Sequence, residues 1–158
     1  STLTPTLALT LATKPSTLGM LREAAKAHPG VYDELSAGDA VSFLTRQAAS
    51  ADLILAADVL PYMHSLTDLF DAVHATLSSG GLFAFTTEYA TPDEVACPPD
   101  GPGWIERASE RMAHSEAYVR WLAARDACSF EVLSLTQGRL RQDGSAAING
   151  NHVVLAKP

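Results

Sequence analysis

The sequence predicts an α/β fold whose mostly parallel sheet ends in an antiparallel hairpin, and three stretches predict it. Residues 51–60 (ADLILAADVL) form a nearly continuous apolar run, as in a strand buried on both faces of a parallel sheet. Leu66, Leu69, Phe70, Val73 and Leu77 then recur at three- and four-residue intervals, which predicts an amphipathic helix ended by Ser78-Ser79-Gly80-Gly81. A second apolar strand, 82–87 (LFAFTT), follows, and a strand–helix–strand unit of this length is a right-handed crossover between parallel neighbours. Near the end, 130–136 and 152–156 flank the turn-rich stretch 142–151 and read as an antiparallel hairpin.

The other elements fill in around these. Residues 7–11 (LALTL) suit a strand stopped by Lys14-Pro15-Ser16, and Thr17 caps a helix carrying Leu18, Leu21, Ala24 and Ala25 that ends at His28-Pro29-Gly30. A short strand over 31–35 leads to a Gly38-Asp39 turn and a brief helix over 41–47. Four prolines, Pro92, Pro98, Pro99 and Pro102, make 89–103 a loop and a candidate lid. A helix over 115–127 puts Tyr118, Val119 and Leu122 on one face. Neither repeats nor low-complexity tracts occur, so residues 1–158 read as one domain, with 1–16 its least regular segment.

Composition narrows the function classes. Eleven basic against eighteen acidic residues give a net charge of -7, which opposes binding to phosphate backbones or anionic lipid, so neither nucleic acid nor membrane is an expected partner. No apolar run reaches the ~18 residues of a membrane span. Cys97 and Cys128 lack CxxC or His-flanked spacing and read as free thiols of a reducing, cytoplasmic compartment. An organellar matrix is the alternative, since the first twenty-two residues lack Asp and Glu. A start at Ser1 fits Met removal, a processed precursor or a beginning inside a longer gene. The five histidines show no HxH or HExxH spacing, which argues against a metal site, and Ser115 lacks the GxSxG context of a hydrolase.

Five stretches in order, GMLREA, VYDELSAGDAVSFL, ADLILAADVLPYMHSL, LSSGGLFAFTTE and RMAHSEAYVRWLA, resemble segments of class I S-adenosylmethionine-dependent methyltransferases, in particular the bacterial-type TPR-repeat-associated ones. The resemblance runs from Leu18 to the end and implies a Rossmann-like methyltransferase sheet with S-adenosylmethionine as cofactor. It implies that Asp39 accepts a hydrogen bond from the adenine amino group with Ala40 near the ring. It also implies that Ala57, Asp58, Val59 and Tyr62 form the lip where the methionine end of the cofactor meets the methyl acceptor. That position agrees with ligand binding beyond the carboxyl ends of parallel strands. His64, Glu88, His114 and Tyr118, the last two beside Arg111, are candidate contacts to a substrate. Each also has a bland reading: a strand-end cap for Asp58, a capping residue for His64, a solvated strand end for Glu88, a helix-start residue for His114 and core filling for Tyr62 and Tyr118.

The chain departs from that family where the cofactor is usually gripped. No GxGxG turn precedes Gly19, and the position expected to carry a ribose-binding acid falls on Pro15. The expectation is a sheet whose first strand is missing or replaced: the neighbours close up, residues 1–11 take the central place, or a protein partner or second copy completes the sheet. Three functions follow: a methyltransferase acting on a small-molecule or protein acceptor, a non-catalytic descendant kept as an assembly subunit, or a truncated product whose missing strand lies upstream.

Overall fold

The structure is a computed structural model that describes residues 6–8, 17–32, 36–47 and 51–158. In chain order the elements are β1 (Thr6–Ala8), α1 (Thr17–Ala27), α2 (Ala40–Leu44), β2 (Ala51–Ala56), a 3-10 turn (Leu60–Tyr62), α3 (Thr67–Thr76) and β3 (Leu77–Ala90). After these come β4 (Trp104–Glu106), β5 (Met112–Ser115), α4 (Glu116–Ala124), β6 (Glu131–Asp143) and β7 (Ala146–Ala156). All seven strands join one sheet.

The long strand β3 organises it. Its middle, Leu82–Phe85, pairs in parallel with Leu53–Ala56 of β2, and β2 pairs in parallel with β1. Antiparallel to it runs β7, from Ala156 opposite Leu82 to Gly150 opposite Glu88. Its last residues, Glu88–Ala90, pair in parallel with Ala113–Ser115 of β5, which carries the antiparallel β4. The hairpin β6–β7 turns over Gly144 and Ser145, with Gly144 at a left-handed φ of 56°, which a tight hairpin turn requires.

This is the α/β sheet with a terminal antiparallel hairpin that the sequence predicts, with corrections, the first being that the sheet is mixed, three parallel and three antiparallel pairings among the described residues. Thr6–Ala8 pairs in parallel directly beside Leu53–Leu55, which fits either neighbours that close up or residues 1–11 in the central place. The remainder of the expected first strand, 9–11, lies outside the described residues, as do 33–35 of the expected strand after α1, where Val31 is in a turn and exposed. The run 51–60 stops being a strand at Ala56 because Asp58 takes a left-handed φ of 56° and Pro61 brings no N–H. Ser78–Gly81 continue β3 instead of only ending the helix: Leu77 pairs with Ala51, and Gly80 and Gly81 exchange hydrogen bonds with Lys157. The loop begins after Ala90, not at Tyr89, and the short strands β4 and β5 were not expected. The hairpin strands reach much closer to the turn than 136 and 152, because their outer halves are half-exposed and carry polar residues that hide the alternation.

One face of the sheet holds the core. Ile54, Phe83, Phe85, Val153 and Leu155 pack against Leu69, Phe70 and Val73 of α3 and Tyr118, Val119 and Leu122 of α4. Phe70 sits edge-on to Phe83, Phe85 and Phe130 at 5.7–6.1 Å. The opposite face, with Leu55, Ala84, Thr86, Ser134, His152 and Val154, forms a shallow hollow of about 240 Å³ lined by strands and their ends, and Leu55 is 40% exposed.

Candidate functional site

Beyond Ala56 the chain crosses the carboxyl end of the sheet as a strap, residues 57–66, whose backbone is bonded by the side chains of Thr86, His114 and Tyr118. The Asp58 N–H donates to Thr86 Oγ1 at 3.0 Å, fixing the reversal at the strand end. Val59, Leu60 and Pro61 are buried beneath it. His114 Nε2 donates to the His64 carbonyl at 3.0 Å, and the Leu66 N–H donates to the Tyr118 hydroxyl at 3.0 Å, just ahead of α3. Gly103 packs flat on the Tyr118 ring, where a Cβ would lie 2.4 Å from a ring carbon.

A cluster of opposite charges sits above the strap's start. Alternation along β3 puts Thr86 and Glu88 on the same side as Ala84, away from the aromatic core. Glu88 is nevertheless buried, at 5% exposure, because two guanidinium groups cover it. Its Oε1 lies 2.6 Å from Arg111 Nε and 2.7 Å from Arg141 Nη1. Arg111 also donates to Asp58 and to the Tyr62 hydroxyl, and stacks over the Tyr62 ring at 4.6 Å. Arg141, which arrives from the β6–β7 hairpin, lies 3.7 Å from Asp58. Burial works against the charge of Arg111, but its bond to Glu88 and the charges of Asp58, Tyr62 and Glu88 outweigh that and raise its pKa.

A second ion pair steadies the loop after β3. Arg107 donates to Glu94 and, at 2.9 Å, to the Tyr89 carbonyl, and its bond together with that of the Thr91 N–H holds the Glu94 carboxyl down at about 2. Between this loop and the start of α4 lies an open cleft of about 460 Å³, lined by Tyr89, Val95, Cys97, Ser115, Glu116 and Arg120 among others.

The residues singled out from sequence therefore divide. Asp58, Tyr62 and Glu88 meet in one cluster, with His64 further along the same strap, exposed, its ring edge-on to Trp104 at 5.0 Å. Ala57 is exposed at the lip, whereas Val59 and Ala40 are buried, at 3% and 6% exposure. Asp39 caps α2, its Oδ1 accepting from the Ser42 N–H at 2.8 Å, and makes no ion pair with the cluster. His114 and Tyr118 are fully enclosed and spend their polar atoms on the strap's backbone. Burial of its ring presses the His114 pKa down to about 4, so the imidazole is neutral, and its Nδ1 has no hydrogen-bond partner. Strand parity explains the split: Arg111 and His114 are three residues apart along an extended chain and so emerge on opposite faces. Arg111 could have been found from its place in the RMAHSEAY stretch; Arg141, in a polar hairpin, left no local signal.

Among the described residues no three His, Cys, Asp or Glu side chains are placed to hold a metal ion, and no helix is long and apolar enough to cross a membrane. Cys97 and Cys128 are unpaired thiols.

No family model matches the chain, and no curated protein sequence matches it. Solved structures do. A S-adenosylmethionine-dependent methyltransferase from Methanosarcina mazei is similar with a TM-score of 0.65 at 15% identity, over 96% of this chain and 82% of that one. TehB from Haemophilus influenzae is similar with a TM-score of 0.59 at 13% identity, over 97% of this chain and 49% of that one. The N-methyltransferase NodS from Bradyrhizobium japonicum WM9, solved with S-adenosyl-L-homocysteine, gives 0.59 at 18% identity, over 97% and 66%. The chain thus has the Rossmann-like fold of these methyltransferases, and it spans about half of TehB and two thirds of NodS.

Proposed function

We propose that this chain is an S-adenosylmethionine-dependent methyltransferase-like domain, of the TPR-repeat-associated kind its ordered segments resemble, acting on a small-molecule or protein acceptor. The observation that carries this reading is the strap at the carboxyl end of parallel strands, where Asp58, at a left-handed φ, and the half-exposed Tyr62 stand at the open rim. The residues present fit two ends of the cofactor. Asp39 is exposed and leaves its second carboxylate oxygen unused by the α2 cap, so it can accept from an adenine amino group. Asp58 and Tyr62 stand where the methionine end would lie, while 9–16, which carries Pro15 and no glycine, lies outside the described residues.

When bound, the cofactor supplies a methyl group on a sulfonium, already activated toward a nucleophile. The task left to the protein is alignment and the exclusion of water. The pinned strap answers to the first, since Thr86, His114 and Tyr118 bond its backbone and Arg111 bonds the side chains of Asp58 and Tyr62. A neutral, enclosed His114 positions backbone and takes no proton from the acceptor. His64, exposed on the strap, is the imidazole available to an acceptor that must lose one.

Calorimetry with S-adenosylmethionine and S-adenosylhomocysteine tests the reading. Saturable binding that weakens at least about tenfold in Asp39→Ala is expected, the size of losing one good hydrogen bond to a ligand. Heat from neither ligand would overturn it in favour of a second reading, a non-catalytic assembly subunit, which the half-exposed sheet face around Leu55 and Val154 favours. On that reading a protein partner, or a second copy seen by sedimentation, covers the face.

A further inference from the structure

We propose that Arg111 and Arg141 form an exchangeable anion site at the rim, which takes the carboxylate group of an acceptor, with Asp58 as the resident group that gives way to it. The two guanidinium groups share one fixed carboxylate: Glu88, whose side chain is 6% exposed, offers the same Oε1 to both. Among the described residues the second positive charge is balanced by Asp58, whose side chain is 55% exposed. An ion pair on the wet side of a protein is weak and screened, so a competing carboxylate meets little resistance there, while Glu88 stays in place.

Arg141 supplies the second observation. Its Nη1 is within 2.7 Å of Glu88, close enough for charge attraction, yet no hydrogen bond of acceptable direction reaches it, although the atom is buried. A guanidinium donor kept from water and from an aligned acceptor is costly. The oxygens of an incoming carboxylate could take Arg111 Nη2 from Asp58 and give Arg141 a directed partner, the planar pairing that guanidinium groups favour. Asp58 is able to swing aside: its backbone is tied by its own N–H to Thr86, and its side chain has no bond other than those to the arginines. With Asp58 swung aside, the two guanidinium groups face the single buried charge of Glu88, which leaves one positive charge for an incoming anion.

The inference rests on the rim being a methyl-transfer mouth only for the word acceptor, and its test uses no cofactor. Benzoate, methyl phosphate and chloride are titrated at constant ionic strength into the whole chain, and the Arg Nε–Hε signals are followed by ¹⁵N-edited NMR. Saturable shifts of the Arg111 and Arg141 signals by benzoate are expected, about tenfold tighter in Asp58→Asn, where the competitor is gone, and about tenfold weaker in Arg141→Lys, which keeps charge but not the planar fork. Equal responses to chloride and benzoate, affinity unchanged in Asp58→Asn, or affinity unchanged in Arg141→Lys would each overturn it, and stronger shifts with methyl phosphate would replace the carboxylate with a phosphate group. A chain that binds benzoate but no S-adenosylhomocysteine keeps this site and loses the proposed function; the reverse result does the opposite.

Discussion

The two faces of the sheet are made by the same strands and live in different surroundings. On one, Phe83 and Phe85 are shut beneath Phe70 and the helices α3 and α4; on the other, their sequence neighbours Ala84 and Thr86 are half-buried, and Leu55 beside them is 40% exposed. Parallel sheets are ordinarily covered on both sides. In α1, Gly19 and residues 22–23 and 25–27 are exposed, and Leu21 and Ala24 are half-buried. The lesson is that the architecture of this domain is held from one side, and the charged rim sits at the top of the other.

Mutations sharpen the contrast. Phe70→Ala empties the centre of four aromatic rings and should cost about 3–5 kcal/mol in urea unfolding. Tyr118→Phe removes only a hydroxyl but strands the buried Leu66 N–H, and should cost about 1–3 kcal/mol. On the open face, Leu55→Ala should cost no more than about 1 kcal/mol. If Leu55→Ala proved as damaging as Phe70→Ala, something would be covering that face in solution and the comparison would fail.

Acid provides a further probe of the packed side. His114 is held neutral in the folded chain down to about 4, while in the unfolded chain it protonates near its ordinary 6.5. The unfolded state therefore binds the extra proton first, and stability present above pH 6.5 is lost as the pH falls from there to about 4. His74, whose pKa is also lowered by burial, adds to the same slope. Thermal melts across this window should show a shallower decline for His114→Gln than for the unaltered chain, and an unchanged slope would remove His114 from the account.

What could be read in the sequence follows from where periodicity is loud. The run of β2 and the three- and four-residue spacing of α3 announce themselves because one is a continuous apolar run and the other a stripe, although β2 is not buried on both faces as that run predicts, Leu55 being 40% exposed. Strands β4 and β5 have three and four residues, too few for any period; β5 pairs with the far end of β3, and β4 pairs with β5. The site was legible in part for the same reason. Asp58 and Tyr62 follow a recognisable strand, but the cluster that joins them to Glu88 is closed by Arg111, just before an unheralded strand, and by Arg141, across a hairpin. His114 and Tyr118 looked like site residues because they share a stretch with Arg111; strand β5 turns His114 inward and the buried face of α4 does the same for Tyr118, and the first of these could not be shown without that strand.

One strand, β3, joins all of this. Fourteen residues of extended chain span roughly 46 Å, and along that length β3 borders β2, β7 and β5 in turn. Its central amides cannot open without parting several partners together, so their hydrogen exchange should require unfolding of the entire domain, unlike the amides of α1. Glu88 stands near the tip of that rod, which means that the buried carboxylate shared by both arginines, unlike the exposed Asp58, is anchored on the strand that most partners hold.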